Sequence, residues 1–182
     1  MNISNVLRNA AALGGIATLI VCGTANAATP AKAKLSAATH AVKVQQIRNA
    51  TIKVNYAGTT FLIDPMLAKK GTYPGFEGTY NSQLRNPLVE LPMPLAEAMK
   101  ADAIIVTHTH LDHWDDAAKQ NLPKNLPLFA QNEADAQSIR KDGFTNVRVL
   151  TKGAEFKGTR LSRTGGPHGG DKTMGVAGGL LG

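Results

Sequence analysis

Ala103-Ile104-Ile105-Val106-Thr107-His108-Thr109-His110-Leu111-Asp112-His113-Trp114-Asp115 is the stretch that decides how this chain is read. Its first four residues form a short apolar run rich in β-branched side chains, the pattern of a strand buried on both faces. From Asp115 to Gln120 the sequence reads as the first turns of a helix, with carboxylates where the helix dipole favours them. Between strand and helix lie His108, His110, Asp112 and His113, four potential metal ligands within six residues. The carboxyl end of a buried strand is a usual place for a site in an α/β protein. His108 and His110 are two apart and project from the same side, while Asp112 and His113 follow after the chain turns. A solvated polar loop would account for one histidine but not for this spacing. Imidazole with carboxylate suits zinc, with manganese or iron as alternatives.

Outward from this stretch the chain alternates strands and helices. Val42, Val44 and Ile47 begin a strand, Ile52 to Tyr56 alternates as a half-buried strand, and Ala57-Gly58 turns it into Thr60-Phe61-Leu62-Ile63. Asp64 and Pro65 end that strand. Leu95 to Lys100 reads as a short helix and Pro127 to Ala130 as a strand. Asn132 caps a helix over Glu133 to Lys141 that Gly143 stops. Val147 to Leu150 is the next strand, and another centred on Leu161 lies between Gly158 and Thr164. Such alternation predicts a mixed α/β layered domain over residues 41–182.

From Met66 to Pro94 runs a stretch with Gly71, Pro74, Gly75, Gly78, Pro87 and Pro92, too long for an ordinary connection. Two readings compete. In one, Tyr73, Phe76, Tyr80 and the guanidinium of Arg85 form a wall over the metal site, with Tyr73 and Arg85 touching substrate. In the other, the segment is an Ω-like loop that packs on its own aromatics.

The six residues His108-Thr109-His110-Leu111-Asp112-His113 resemble the H-x-H-x-D-H signature of the metallo-β-lactamase superfamily of hydrolases. Leu62-Ile63-Asp64-Pro65 resembles the aspartate-bearing strand end that precedes it there. The wording from Gly71 to Asp115 is similar to the branch related to ascorbate-phosphate lactonase, and the resemblance runs from about Val42 to His168. It implies an αββα sandwich in which Asp64 orients the metal loop. His168, in the glycine-rich Gly165 to Gly170, resembles the third ligand of a set with His108 and His110. Asp112 and His113 would serve a second ion, and Asp112 would orient a water or take its proton. The family's bridging aspartate and last histidine have no counterpart, since Asp171 follows His168 too closely. The expectation is therefore a sandwich whose C-terminal half is incomplete, holding one firmly bound zinc at most.

Before the domain, Arg8 and the apolar run Ala10 to Gly23 precede Ala25-Asn26-Ala27, the pattern of a secretory signal peptide over residues 1–27, cleaved after Ala27. Residues 28–40 read as a disordered lead-in. The mature chain then contains no cysteine, because Cys22 is the only one, and disulfides do not contribute to its stability. Loss of Arg8 lowers the net charge from +7 to about +6. The remaining cations are dispersed, which argues against a nucleic-acid track and for a solvated surface that draws in a small, anionic substrate. Together these features predict a periplasmic or secreted hydrolase, free of the membrane once the signal is cleaved. It would use a metal-activated hydroxide on an ester, lactone or phosphoester. The alternative is a truncated, catalytically inactive metal-binding remnant of such a hydrolase.

Overall fold

A computed structural model describes residues 41–165 except positions 76 and 79; the leader, the whole lead-in and His168 lie outside them. Eight strands and three helices follow one another among the described residues. They are β1 (Lys43–Arg48), β2 (Thr51–Tyr56), β3 (Thr59–Ile63), α1 (Leu95–Ala98), β4 (Ala103–Val106), α2 (Asp116–Asn121), β5 (Leu128–Ala130), α3 (Glu133–Lys141), β6 (Val147–Val149), β7 (Ala154–Phe156) and β8 (Thr159–Leu161). Strands β1 to β6 form one sheet in sequence order, antiparallel from β1 to β3 and parallel from β3 to β6. β7 and β8 pair as a separate hairpin. The fold is mixed α/β, as the alternation predicted.

Local chemistry explains the joints. Ala57 and Gly58 both take positive φ, 50° and 78°, the requirement of a tight turn whose twist matches the strands it joins. α2 starts one residue later than read from the sequence, because Asp115 is its N-cap and accepts from Ala118 N. α3 has its expected bounds, with the Asn132 side chain accepting from Asp135 N. α1 is shorter than expected, ending at Ala98. The β7 strand was not read from the sequence at all: Ala154-Glu155-Phe156 offers two apolar positions, too few for a periodic signal.

Strand β4 is buried on both faces, and each face meets a different layer. Ile104 and Val106 pack with Trp114, Ala118, Ala136 and Ile139 of the helical layer. Ala103 packs with Phe61, Phe129 and Leu150, against which Ile105, Phe156 and Leu161 rest. That two-sided burial is why the run lacks polar alternation. No helix among the described residues is long and apolar enough to cross a membrane.

The chain leaving β3 is fastened by buried polar groups. Thr51 Oγ1 donates to Asp64 O (2.7 Å) and accepts from Met66 N (2.9 Å). Arg48, only 3% exposed, donates to the carbonyls of Met66 (2.8 Å), Val89 (3.0 Å) and Ala68. Asp115 is wholly buried; besides capping α2 it accepts from Leu67 N at 2.9 Å and Ala68 N at 2.8 Å. One carboxylate thus joins the segment after β3 to the helix after the metal motif. Asp115→Ala leaves three backbone donors without their acceptor, and is expected to lower unfolding stability by about 3 kcal/mol in urea titration. A loss below about 1 kcal/mol would contradict this role.

Candidate metal centre

Register places the site. β3 and β4 are parallel, with Ile63 opposite Ile105, so the residues leaving both strands emerge side by side at their carboxyl ends. Asp64 is the first residue after β3 and Thr107 the first after β4. Asp64 N donates to Ile105 O at 2.9 Å. The Asp64 side chain then turns onto the motif: Oδ1 accepts from Thr107 N (2.7 Å), and Oδ2 from Thr107 Oγ1 (2.7 Å) and His113 Nδ1 (2.9 Å). Asp64 is 4% exposed and has φ of 49°, a left-handed backbone that aspartate tolerates better than most residues.

The motif itself folds back. His110 O accepts from His113 N (2.9 Å) and Trp114 N (2.8 Å), a turn that returns His113 to His108. The rings of His108 and His113 have centroids 3.8 Å apart, and His110 stands edge-on to His108 at 4.6 Å. Trp114 anchors the turn from below, buried against Phe144 with ring centroids 5.2 Å apart.

His108, Asp112 and His113 place one potential ligand atom each within 4.8 Å of one another, a grouping that can hold a metal ion. With Nδ1 committed to Asp64, it is Nε2 of His113 that is left to face Asp112, 3.5 Å from its Oδ2, and deprotonated Nε2 is the atom that would meet a metal. Burial, reinforced by the nearby His113 and His110, pushes the His108 imidazole down to about 4, so it is uncharged near neutral pH. Burial acts the same way on His113, but the hydrogen bond and charge of Asp64, with the charge of Asp112, outweigh it and hold that ring above the ordinary histidine range. The donor set of two imidazoles and a carboxylate suits zinc, iron or manganese, so the residues present fit a catalytic divalent metal.

The sequence reading grouped His108 with His110 and His168 and gave Asp112 and His113 to a second ion. Among the described residues the structure brings His108 together with Asp112 and His113, because the turn at His110 closes the motif on itself. His110 lies beside this group, and His168 lies outside the described residues. Asp64 stands where the reading expected an orienting carboxylate. Tyr73 is half-buried, with its hydroxyl against the backbone N–H groups of Asp116 and Ala117 at the start of α2. Arg85 gives Nε to Gly71 O (2.7 Å) and one terminal nitrogen to Thr72 O (2.8 Å), and Tyr73 pairs with Asn86 across the same loop. These bonds tie the loop to its own backbone, while Tyr80 stands exposed. Thr51, Arg48, Asp115 and Asp135 were missed as supports of the site. Polar residues next to apolar strand positions were the available signal, and only spatial proximity distinguishes them from surface.

Residues 43–175 match the family described as the beta-lactamase superfamily domain. The chain belongs to that superfamily. It is 50% identical over 143 residues to the UPF0173 protein YddR of Bacillus subtilis, a match covering 78% of this chain and 56% of that one. The crystal structure of a possible metal-dependent hydrolase from Veillonella parvula superposes with a TM-score of 0.74 at 46% identity, covering 78% of this chain and 56% of the other. An isothiocyanate hydrolase from Delia radicum gut bacteria superposes with a TM-score of 0.71 at 44% identity, covering 76% and 55%. This superfamily chain thus spans about half the length of these relatives.

Proposed function

We propose that this chain is an exported metal-dependent hydrolase, whose His108–Asp112–His113 group holds zinc and whose substrate is an ester, lactone or phosphoester. The observation that carries the reading is the convergence of two imidazoles and a carboxylate within 4.8 Å at the carboxyl end of β4. Membership of the superfamily and the relatives' names support it. A zinc ion held there would bring the pKa of a water toward neutrality and polarise a carbonyl or phosphoryl oxygen.

The chain's own residues supply the rest. Asp64 fixes the ring plane and tautomer of His113 through the 2.9 Å bond. His108, uncharged through burial, offers a lone pair without first losing a proton. Asp112 is half-buried and keeps one carboxylate edge toward the group, where it takes the proton of an attacking water. His110 and, by resemblance, His168 are assigned to complete the ligand set.

A second substrate class has specific support. The relative at 44% identity is named an isothiocyanate hydrolase, and the central carbon of an isothiocyanate is an electrophile open to the same attack by water. Export belongs to the proposal through the apolar run Ala10 to Gly23 and the Ala25-Asn26-Ala27 site. An exported product whose intact mass begins at Ala28 is expected, and any other N-terminus would contradict that part.

The test of the activity is a panel of a carboxylic ester, a lactone, a phosphodiester and an isothiocyanate, assayed on the full chain before and after chelation. Turnover of at least one class is expected, abolished by the chelator, restored by zinc, and lowered about 100-fold or more by Asp112→Asn. Turnover that survives chelation would contradict the reading. Zinc bound without turnover would favour the metal-binding alternative.

A further inference from the structure

Asp64 grips the motif from β3; a second carboxylate grips it from the opposite side. Thr109, between His108 and His110, donates its hydroxyl to Asp135 Oδ1 at 2.8 Å across 26 positions of sequence. Asp135 lies in the first turn of α3, immediately after β5, the strand that flanks β4 on the side away from β3. Its other oxygen, Oδ2, accepts from Gln131 Nε2 at 2.9 Å and Asn132 Nδ2 at 3.0 Å, and its N–H donates to Asn132 Oδ1 at 2.8 Å. Gln131 is 4% exposed and follows Ala130, which pairs with Val106.

An acid in the first turn of a helix has an ordinary explanation in the helix dipole. That explanation does not account for where this carboxylate points. α3 is already capped by Asn132, and the Asp135 side chain reaches three side-chain donors, one of them inside the metal motif. The motif residues alternate in what holds them. Thr107 is held by Asp64, which follows β3, and Thr109 by Asp135 of α3, so a carboxylate binds the residue on each side of His108.

We propose that Asp135 and Thr109 are a positioning pair that fixes the His108–His110 segment so that the His108 ring meets Asp112 and His113. The inference rests on the reading of that group as a metal site. Neither residue touches the metal or the substrate; both act through the backbone that carries the imidazoles.

The test compares Thr109→Val, Thr109→Ser and Asp135→Asn with the natural full chain. Zinc affinity is measured by competition with a chromogenic chelator, cobalt geometry by the visible spectrum, and folding by urea midpoint. Thr109→Val is expected to weaken zinc binding about 10-fold or more and to alter the cobalt spectrum, with little change in the urea midpoint. Thr109→Ser keeps the hydroxyl and is expected to restore both. Asp135→Asn keeps an acceptor oxygen for Thr109 and is expected to fall between them. Unchanged affinity and spectrum in Thr109→Val would overturn the proposal, as would a loss that Thr109→Ser does not recover. If the natural chain binds neither metal, the reading of the site fails on its own. The pair is then judged on the imidazole resonances of His108 and His110 in the metal-free protein, which Thr109→Val should move and Thr109→Ser should not. Resonances unmoved by Thr109→Val would overturn it.

Discussion

Everything at this site depends on one carboxylate held in an unfavourable backbone. Asp64 sits at φ 49°, which costs a non-glycine residue roughly 1–2 kcal/mol. It accepts three hydrogen bonds of 2.7 to 2.9 Å from Thr107 and His113, and bonds to a charged acceptor contribute about 1.5–3 kcal/mol each. The bonds outweigh the strain, and this backbone turns the side chain from the end of β3 onto the end of β4. The conformation is over-determined from behind: Thr51 binds the chain on both sides of Pro65, at Asp64 O and Met66 N, and the buried Arg48 ties down Met66 and Ala68. A strained residue fixed by buried polar partners next to a ligand cluster is how functional geometry is commonly stored.

The parallel register makes this economical in sequence. Because β3, β4 and β5 run the same way, their carboxyl ends deliver Asp64, the histidine motif and the Gln131-to-Asp135 turn to one edge. The helices that follow β4 and β5 begin at that edge, and each begins with a capping side chain, Asp115 or Asn132. Asp115 serves the helix and the β3 exit together, so the metal motif is anchored at both of its ends by groups that also make the fold.

Much of this was legible in the sequence, for stated reasons. The β4 run and the four ligands within six residues are local patterns, and local patterns survive folding. The Ala57-Gly58 turn and the Asn132 cap are likewise set by a few neighbouring side chains. Asp64 was legible through resemblance to a family pattern, since 43 positions separate it from Thr107 and no local spacing links them. The grouping of His108 with Asp112 and His113 was not legible, because it depends on a turn closed by the backbone carbonyl of His110. Arg85 was read as an anion-binding guanidinium of a long loop; it is exposed there, and its Nε and one terminal nitrogen also bond the carbonyls of Gly71 and Thr72. Asp135 carried an ordinary helical signature that hid its reach to Thr109.

The most direct measurement is zinc per chain, by elemental analysis of the purified protein, in the natural sequence and in Asp64→Ala. About one zinc per natural chain is expected, with most of it lost in Asp64→Ala although the variant remains folded by circular dichroism, because His113 then has no partner to set its ring. A natural chain that carries no metal, or an Asp64→Ala chain that retains all of it, would contradict the account.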